Sequence, residues 1–106
     1  QIDAAQLICR ADCLEAQRAA DESRLMTMEE KLRCRRNVAY AIGLCTEAVD
    51  SLHALAGANG IYDRYPIQRL FRDQHALSAH IGFSWDAQGA PWGLVALGGE
   101  FSSPTL

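Results

Sequence analysis

Apolar residues recur at three- and four-residue spacing through most of this chain, the period of amphipathic helices. The first such stretch runs from Ile2 to about Ala20, with Ile2, Ala5, Cys9, Cys13 and Ala16 as its apolar stripe. Asp3, Gln6, Arg10, Gln17 and Arg18 occupy the other side, and Asp21-Glu22-Ser23 ends the pattern. Thr27-Met28-Glu29-Glu30 then has the form of a capping box, in which the Thr27 hydroxyl accepts from the Glu30 amide and the Glu30 carboxylate reaches back. A long second helix follows, from about Met28 to Ala56. Val38, Ala41, Ile42, Cys45, Val49, Leu52 and Ala56 give its buried stripe, Glu29 and Arg33 an ion pair one turn apart, and Gly57 its stop.

Gly57-Ala58-Asn59-Gly60 reads as a turn, because Gly and Asn take positive φ at little cost. Pro66 suits a first helical position and opens a third helix through Leu70, Phe71, Ala76, Leu77 and His80. Gly82 weakens that helix, and Ser84-Trp85-Asp86 restarts a last one ending at Gly98-Gly99, with Gly89 and Pro91 inside it. The tail from Phe101 to Leu106 is expected to be irregular. The fold class is therefore all-α, an antiparallel up-down bundle. Trp85 and Trp92 are expected in its core. Helices of this number and length leave apolar faces open, for a further helix or a partner subunit to cover. The first helix begins at Gln1 without a cap, which suggests a piece of a longer polypeptide.

Composition changes this picture little. The 106 residues allow one domain, with 49% hydrophobic and 22% charged residues. Ten basic and thirteen acidic side chains give a net charge of −3, which disfavours a nucleic-acid surface. The Arg33, Arg35 and Arg36 group is expected on a solvated helix face. No apolar run approaches the roughly 20 residues of a membrane span, and no signal-peptide pattern opens the chain. Cys9, Cys13, Cys34 and Cys45 lack zinc-site spacing and are expected as reduced, apolar-like thiols, with no metal bound, in a cytoplasmic protein.

The stretch Gly57-Ala58-Asn59-Gly60-Ile61-Tyr62-Asp63-Arg64-Tyr65-Pro66-Ile67-Gln68-Arg69-Leu70-Phe71-Arg72-Asp73 resembles a signature of the acyl-CoA dehydrogenase superfamily. There, a Gly-Gly-Asn-Gly turn leads through Tyr-Pro to a helix with an Arg-Asp pair. The resemblance implies that residues 1–106 are the helical C-terminal domain of a larger flavoenzyme subunit, without the first helix of the bundle. The N-terminal helical and middle β-domains of that subunit lie outside the chain. It implies a homodimer or homotetramer in which the turn packs against a neighbouring subunit's flavin, so Gly57 and Ala58 are the candidate cofactor-binding residues. Ala58 replaces the family's second glycine. Arg72 and Asp73 point about 100° apart on a helix and are expected to anchor neighbouring segments rather than to catalyse.

The residues after this pair separate two chemistries. Dehydrogenases of the family often place a Tyr-Glu-Gly-Thr here, whose glutamate removes the proton α to the thioester. The corresponding residues are His80-Ile81-Gly82-Phe83, and isoleucine takes no proton. Arg72-Asp73, His80, Trp85-Asp86, Gly93 and Gly98 are instead similar to the oxygenase components of two-component aromatic hydroxylases. That resemblance implies reduced flavin (FAD or FMN) from a separate reductase, O₂, and an aromatic, usually phenolic, substrate. His80 is the candidate catalytic residue, since imidazole has the range to deprotonate or polarise a phenol. His75 is expected at the surface or a subunit contact, and His53 as a complement to the dipole of its helix C-terminus. Ser84 lies one turn from His80, within possible bonding reach. A dehydrogenase with its base elsewhere and a non-catalytic helical oligomerisation module are the alternatives.

Overall fold

The computed structural model describes residues 1–103 and is all-α. Helix α1 spans Ile2–Asp21, α2 Met28–Ala56, α3 Pro66–Ser78 and α4 Trp85–Ala96. Two short 3₁₀ turns, Gly57–Ile61 and Ile81–Phe83, join α2 to α3 and α3 to α4. Local chemistry sets most of these boundaries. Helix α1 closes in a Schellman arrangement, with Arg24 N–H bonded to Ala19 C=O (3.0 Å) and Ser23 N–H to Ala20 C=O (2.9 Å). Ser23 takes φ 52° there, where glycine is the usual occupant. The capping box forms as expected: Glu30 N–H donates to Thr27 Oγ1 (3.2 Å) and Thr27 N–H to Glu30 Oε2 (2.8 Å). Arg24 adds a two-pronged bond to the same carboxylate (2.9 and 3.0 Å), which ties the α1–α2 connection to the start of α2.

Helix α2 is the axis of the molecule, and everything else runs antiparallel along it. Down one flank, Gln1 bonds Glu47, Asp12 bonds Asn37 (both 2.7 Å) and Glu15 pairs with Arg33, so α1 descends as α2 ascends. Down another, Phe71 meets His53 and Gln74 bonds Thr46; farther along, Trp85 meets Tyr40 and Arg36 covers Trp92. Helices α3 and α4 thus act as one rod broken at Ala79–Ser84, α3 beside the second half of α2 and α4 beside the first.

The buried hydrophobic residues are Ala5, Ala19, Leu32, Ala39, Ala41 and Ala48. Alanines bring helix axes close but remove little apolar area from water, so the core is narrow. Several expectations are corrected here. The side of α1 facing α2 carries Ala5, Ile8, Asp12, Glu15 and Ala19, while Ile2, Cys9, Cys13 and Ala16 are exposed. Asp12 and Glu15 find Asn37 and Arg33 across the interface, which lets a carboxylate-bearing stripe face inward. Arg33 accordingly leaves Glu29 for Glu15. The arginine group is not a solvated face either, because Arg36 bonds Asn37 Oδ1 (3.1 Å from Nε) and lies 3.9 Å from the Trp92 ring centroid. Trp85 is 53% exposed and Trp92 half-buried beneath that guanidinium, so neither is a core residue in the expected sense. Leu52 is also exposed.

All four cysteines are free thiols, as expected, but Cys9 and Cys13 face outward and only Cys34 and Cys45 are half-buried. No helix of the described residues is long and apolar enough to cross a membrane. Phe101–Ser103 has no regular structure, and the rest of the expected irregular tail, 104–106, lies outside the described residues.

Candidate functional site

Two places carry the expected site residues. The first is the turn at the end of α2. Gly57 has φ 54°, a left-handed value that releases the chain from the helix and that a side chain rarely adopts. Gly57, Ala58 and Asn59 are exposed, and nothing lies within 4 Å of where a Gly57 Cβ would stand. At Gly57 and Ala58 the turn presents backbone and one methyl group, open to a flat ring or a phosphate, which fits a flavin contact.

Gly60 is the buried member of the turn. A Cβ on it would lie 2.8 Å from His53 Nε2, and that Nε2–H donates to the Gly60 carbonyl at 3.3 Å. The His53 ring packs at a tilt against Phe71 (centroids 4.2 Å apart), and Phe71 against His75 (4.4 Å). His75 Nε2 in turn bonds Asp50 Oδ1 at 2.7 Å. His53 sits in the last turn of α2, as expected, but its contacts make it a clamp between the turn and α3. That role escaped the sequence, although the seven-residue interval from His53 to Gly60 was visible. His75 is half-exposed on α3, in keeping with a surface position.

The second place is the break between α3 and α4. Helix α3 ends at Ser78, so His80 lies beyond it, not on it. Its ring Nδ1 accepts from the Gly82 amide (3.0 Å) and its plane tilts against Phe83 (centroids 5.5 Å). His80 is exposed, and its bond goes to Gly82 where Ser84 had been a candidate partner. Ile81, in the position of the dehydrogenase glutamate, is 69% exposed and offers no ionisable group.

Arg72 and Asp73 are both exposed; Asp73 lies 3.7 Å from Arg69 on α3 itself, so the expected anchoring of neighbouring segments is not made within the described residues. The two candidate places are also not brought together. His80 lies between Gln74, bonded to Thr46, and Trp85, packed against Tyr40, whereas Gly57 ends α2. At 1.5 Å per helical residue the separation along α2 is about 20 Å.

Residues 1–85 match the family described as the acyl-CoA dehydrogenase C-terminal domain, which is most of the chain. The chain belongs to that family. Within it, the chain is 43% identical over 72 residues to the oxygenase component of p-hydroxyphenylacetate 3-hydroxylase from Acinetobacter baumannii. That match covers 68% of this chain and 17% of the relative. It is 33% identical over 104 residues to the oxygenase component of an FADH(2)-dependent resorcinol hydroxylase from Rhizobium sp. (strain MTP-10005), covering 93% of this chain and 25% of the relative. Among solved structures, XiaF from Streptomyces sp., in complex with FADH2 and glycerol, superposes with a TM-score of 0.89 at 27% identity. That superposition covers 98% of this chain and 26% of XiaF. The 3-HSA hydroxylase from Rhodococcus sp. RHA1 superposes equally well, at a TM-score of 0.89 and 23% identity, over 98% of this chain and 27% of its own, and shows the shared fold. The acyl-CoA dehydrogenase C-terminal fold expected from the Gly57–Asp73 stretch is therefore the fold observed. The chain spans about a quarter or less of the length of these relatives.

Proposed function

We propose that this chain is the C-terminal helical domain of the oxygenase component of a flavin-dependent aromatic hydroxylase, acting on a phenolic ring with O₂ and reduced flavin. Its own N-terminal and middle domains, a homodimeric or homotetrameric assembly and a flavin reductase complete the system, and the chain by itself is inactive. Two relatives whose names specify FADH2 favour the FAD form of the cofactor. The observation that carries the reading is the pair His80–Ile81: an exposed imidazole stands beside the position where a dehydrogenase needs a carboxylate.

Bound reduced flavin supplies the oxygen-activating chemistry. The chain contributes two things at two places. Gly57 and Ala58 offer a low, side-chain-poor surface for the cofactor, steadied by His53 through Gly60. His80 meets the hydroxyl of the substrate, where a polarised or ionised phenol oxygen pushes electron density into the ring and raises its nucleophilicity. Their separation means that one protomer does not apply both to the same reacting ring. An assembly in which the turn serves a neighbouring subunit's cofactor is what that geometry favours.

The full-length protein tests this directly. Oxygen uptake with reduced flavin and a simple phenol, with appearance of the hydroxylated product, is the expected result. Acyl-CoA-dependent dye reduction without O₂ consumption would replace the proposal with a dehydrogenase whose base lies elsewhere. His80→Ala should slow hydroxylation by about 10²-fold or more while changing flavin affinity much less. An unchanged hydroxylation rate would remove His80 from the chemistry.

A further inference from the structure

We infer that His80 offers its substrate an N–H and not a lone pair, and that Gly82 is the positioning residue that imposes this. The inference about catalysis rests on the function proposed above; the tautomer itself does not. A backbone amide can only donate, so the Gly82 N–H bonded to His80 Nδ1 at 3.0 Å requires a lone pair on Nδ1. A neutral imidazole has one ring proton, and it must then sit on Nε2. The local backbone holds this arrangement. Phe83 N–H closes back on the His80 carbonyl at 2.9 Å, and the Phe83 ring lies beside the imidazole.

Glycine at position 82 leaves the imidazole room to lie against its own amide. A Cβ there would stand 3.0 Å from His80 Nδ1 and 3.2 Å from Cε1, inside ordinary contact. A side chain there makes the ring give by a few tenths of an ångström, which strains its bond to the Gly82 amide. With Nδ1 engaged by backbone and Nε2 already protonated, neutral His80 has no site that can take a phenol's proton. It is suited instead to donate from Nε2 to a phenolate oxygen, holding an already ionised substrate in place. The substrate hydroxyl must then lose its proton to solvent or to a group outside this chain.

Two measurements on the full-length protein separate this inference from the function it rests on. Ring ¹⁵N resonances of histidine-labelled protein should show His80 protonated on Nε2 and bare on Nδ1. Gly82→Ala should weaken that pattern, moving the Nδ1 resonance away from its hydrogen-bonded value, while leaving the His53 and His75 resonances in place. A native His80 that is Nδ1-protonated would overturn the tautomer assignment whatever the activity. For the catalytic half, His80→Gln places an amide N–H near Nε2 but cannot accept a proton. It should retain hydroxylation within about tenfold of native, whereas His80→Ala loses about 10²-fold or more. Equal losses in both variants, with the native tautomer as expected, would overturn the donor role alone. No loss in either would overturn the placement of His80 at the substrate.

Discussion

At the residue scale the best-defined charge in the molecule is Glu30. Its carboxylate is pulled down to about 2, first by the hydrogen bonds from Arg24 and then by the Thr27 amide. In the unfolded chain a glutamate titrates at about 4.3. The folded value is the lower one, so the charged form favours folding above the unfolded value, and that contribution fades as pH falls through about 2. Its partner Arg24 is exposed, which limits the size of that contribution. Glu30→Gln keeps a capping side chain but loses the charge. Its thermal midpoint should fall below the native one at neutral pH, and the gap should close as the two are compared at successively lower pH between about 4.3 and 2. A gap that stayed constant across that range would show that the Arg24 pairing is not its source. Cys34 behaves oppositely. Burial first, and the nearby Asp12 and Glu15 charges next, push its thiol up to about 11. Since thiolate is the reactive form, Cys34 should resist alkylation in the folded protein at neutral pH and react on unfolding. Rapid labelling of Cys34 in the native state would mean that α1 and α2 part at this point.

At the scale of elements, the signals confined to a few adjacent residues were legible beforehand and the pairings between distant ones were not. The Thr27–Glu30 capping box, the Gly57 stop and the Pro66 start are each a matter of three or four neighbours, and all three stand where the residues placed them. The orientation of α1 was missed by about one residue, because Asp12 and Glu15 look like solvent-facing carboxylates until Asn37 and Arg33 are brought opposite. The end of α3 was missed because nothing in Ser78-Ala79-His80 breaks a helix; the break comes from the His80 ring taking the Gly82 amide that a continuing helix would give to the Ser78 carbonyl. For the same reason Gly57 and Ala58 became candidate cofactor residues from a contiguous motif, while the contact of His53 with Gly60 was not foreseen. The clamp is testable as a unit. Gly60→Ala must move the His53 ring, and His53→Ala removes it, so each should cost about 1 kcal/mol or slightly more in unfolding free energy. Once His53 is gone, adding Gly60→Ala should cost little further, and a double-mutant cycle reads that directly. Fully additive costs would mean that Gly60 is constrained by something other than the imidazole.

At the scale of the whole molecule, shape and exposure point the same way. The Cα radius of gyration is 16.9 Å, and the principal extents are 50 × 28 × 21 Å. A compact domain of this length has a radius near 13 Å. Among the described residues sixteen large hydrophobics are exposed, including Leu25 (89%), Leu55 (84%) and Leu97 (91%), against one large side chain, Leu32, fully buried. An alanine-lined axis of that kind removes too little apolar surface to offset the chain entropy of a hundred ordered residues. The open faces are also too extensive for a chain that stays apart from others in water. Residues 1–106 produced alone should therefore self-associate or lose fixed tertiary packing. Sedimentation should show species heavier than the monomer, or the near-ultraviolet circular dichroism of Trp85 and Trp92 should be weak while helical content persists. Within the full-length protein the same tryptophan signals should be strong and should melt in a single transition. A monomeric segment that unfolds cooperatively with full near-ultraviolet signal would show that the two rods beside α2 suffice, and that the exposed leucines are not waiting for other polypeptide.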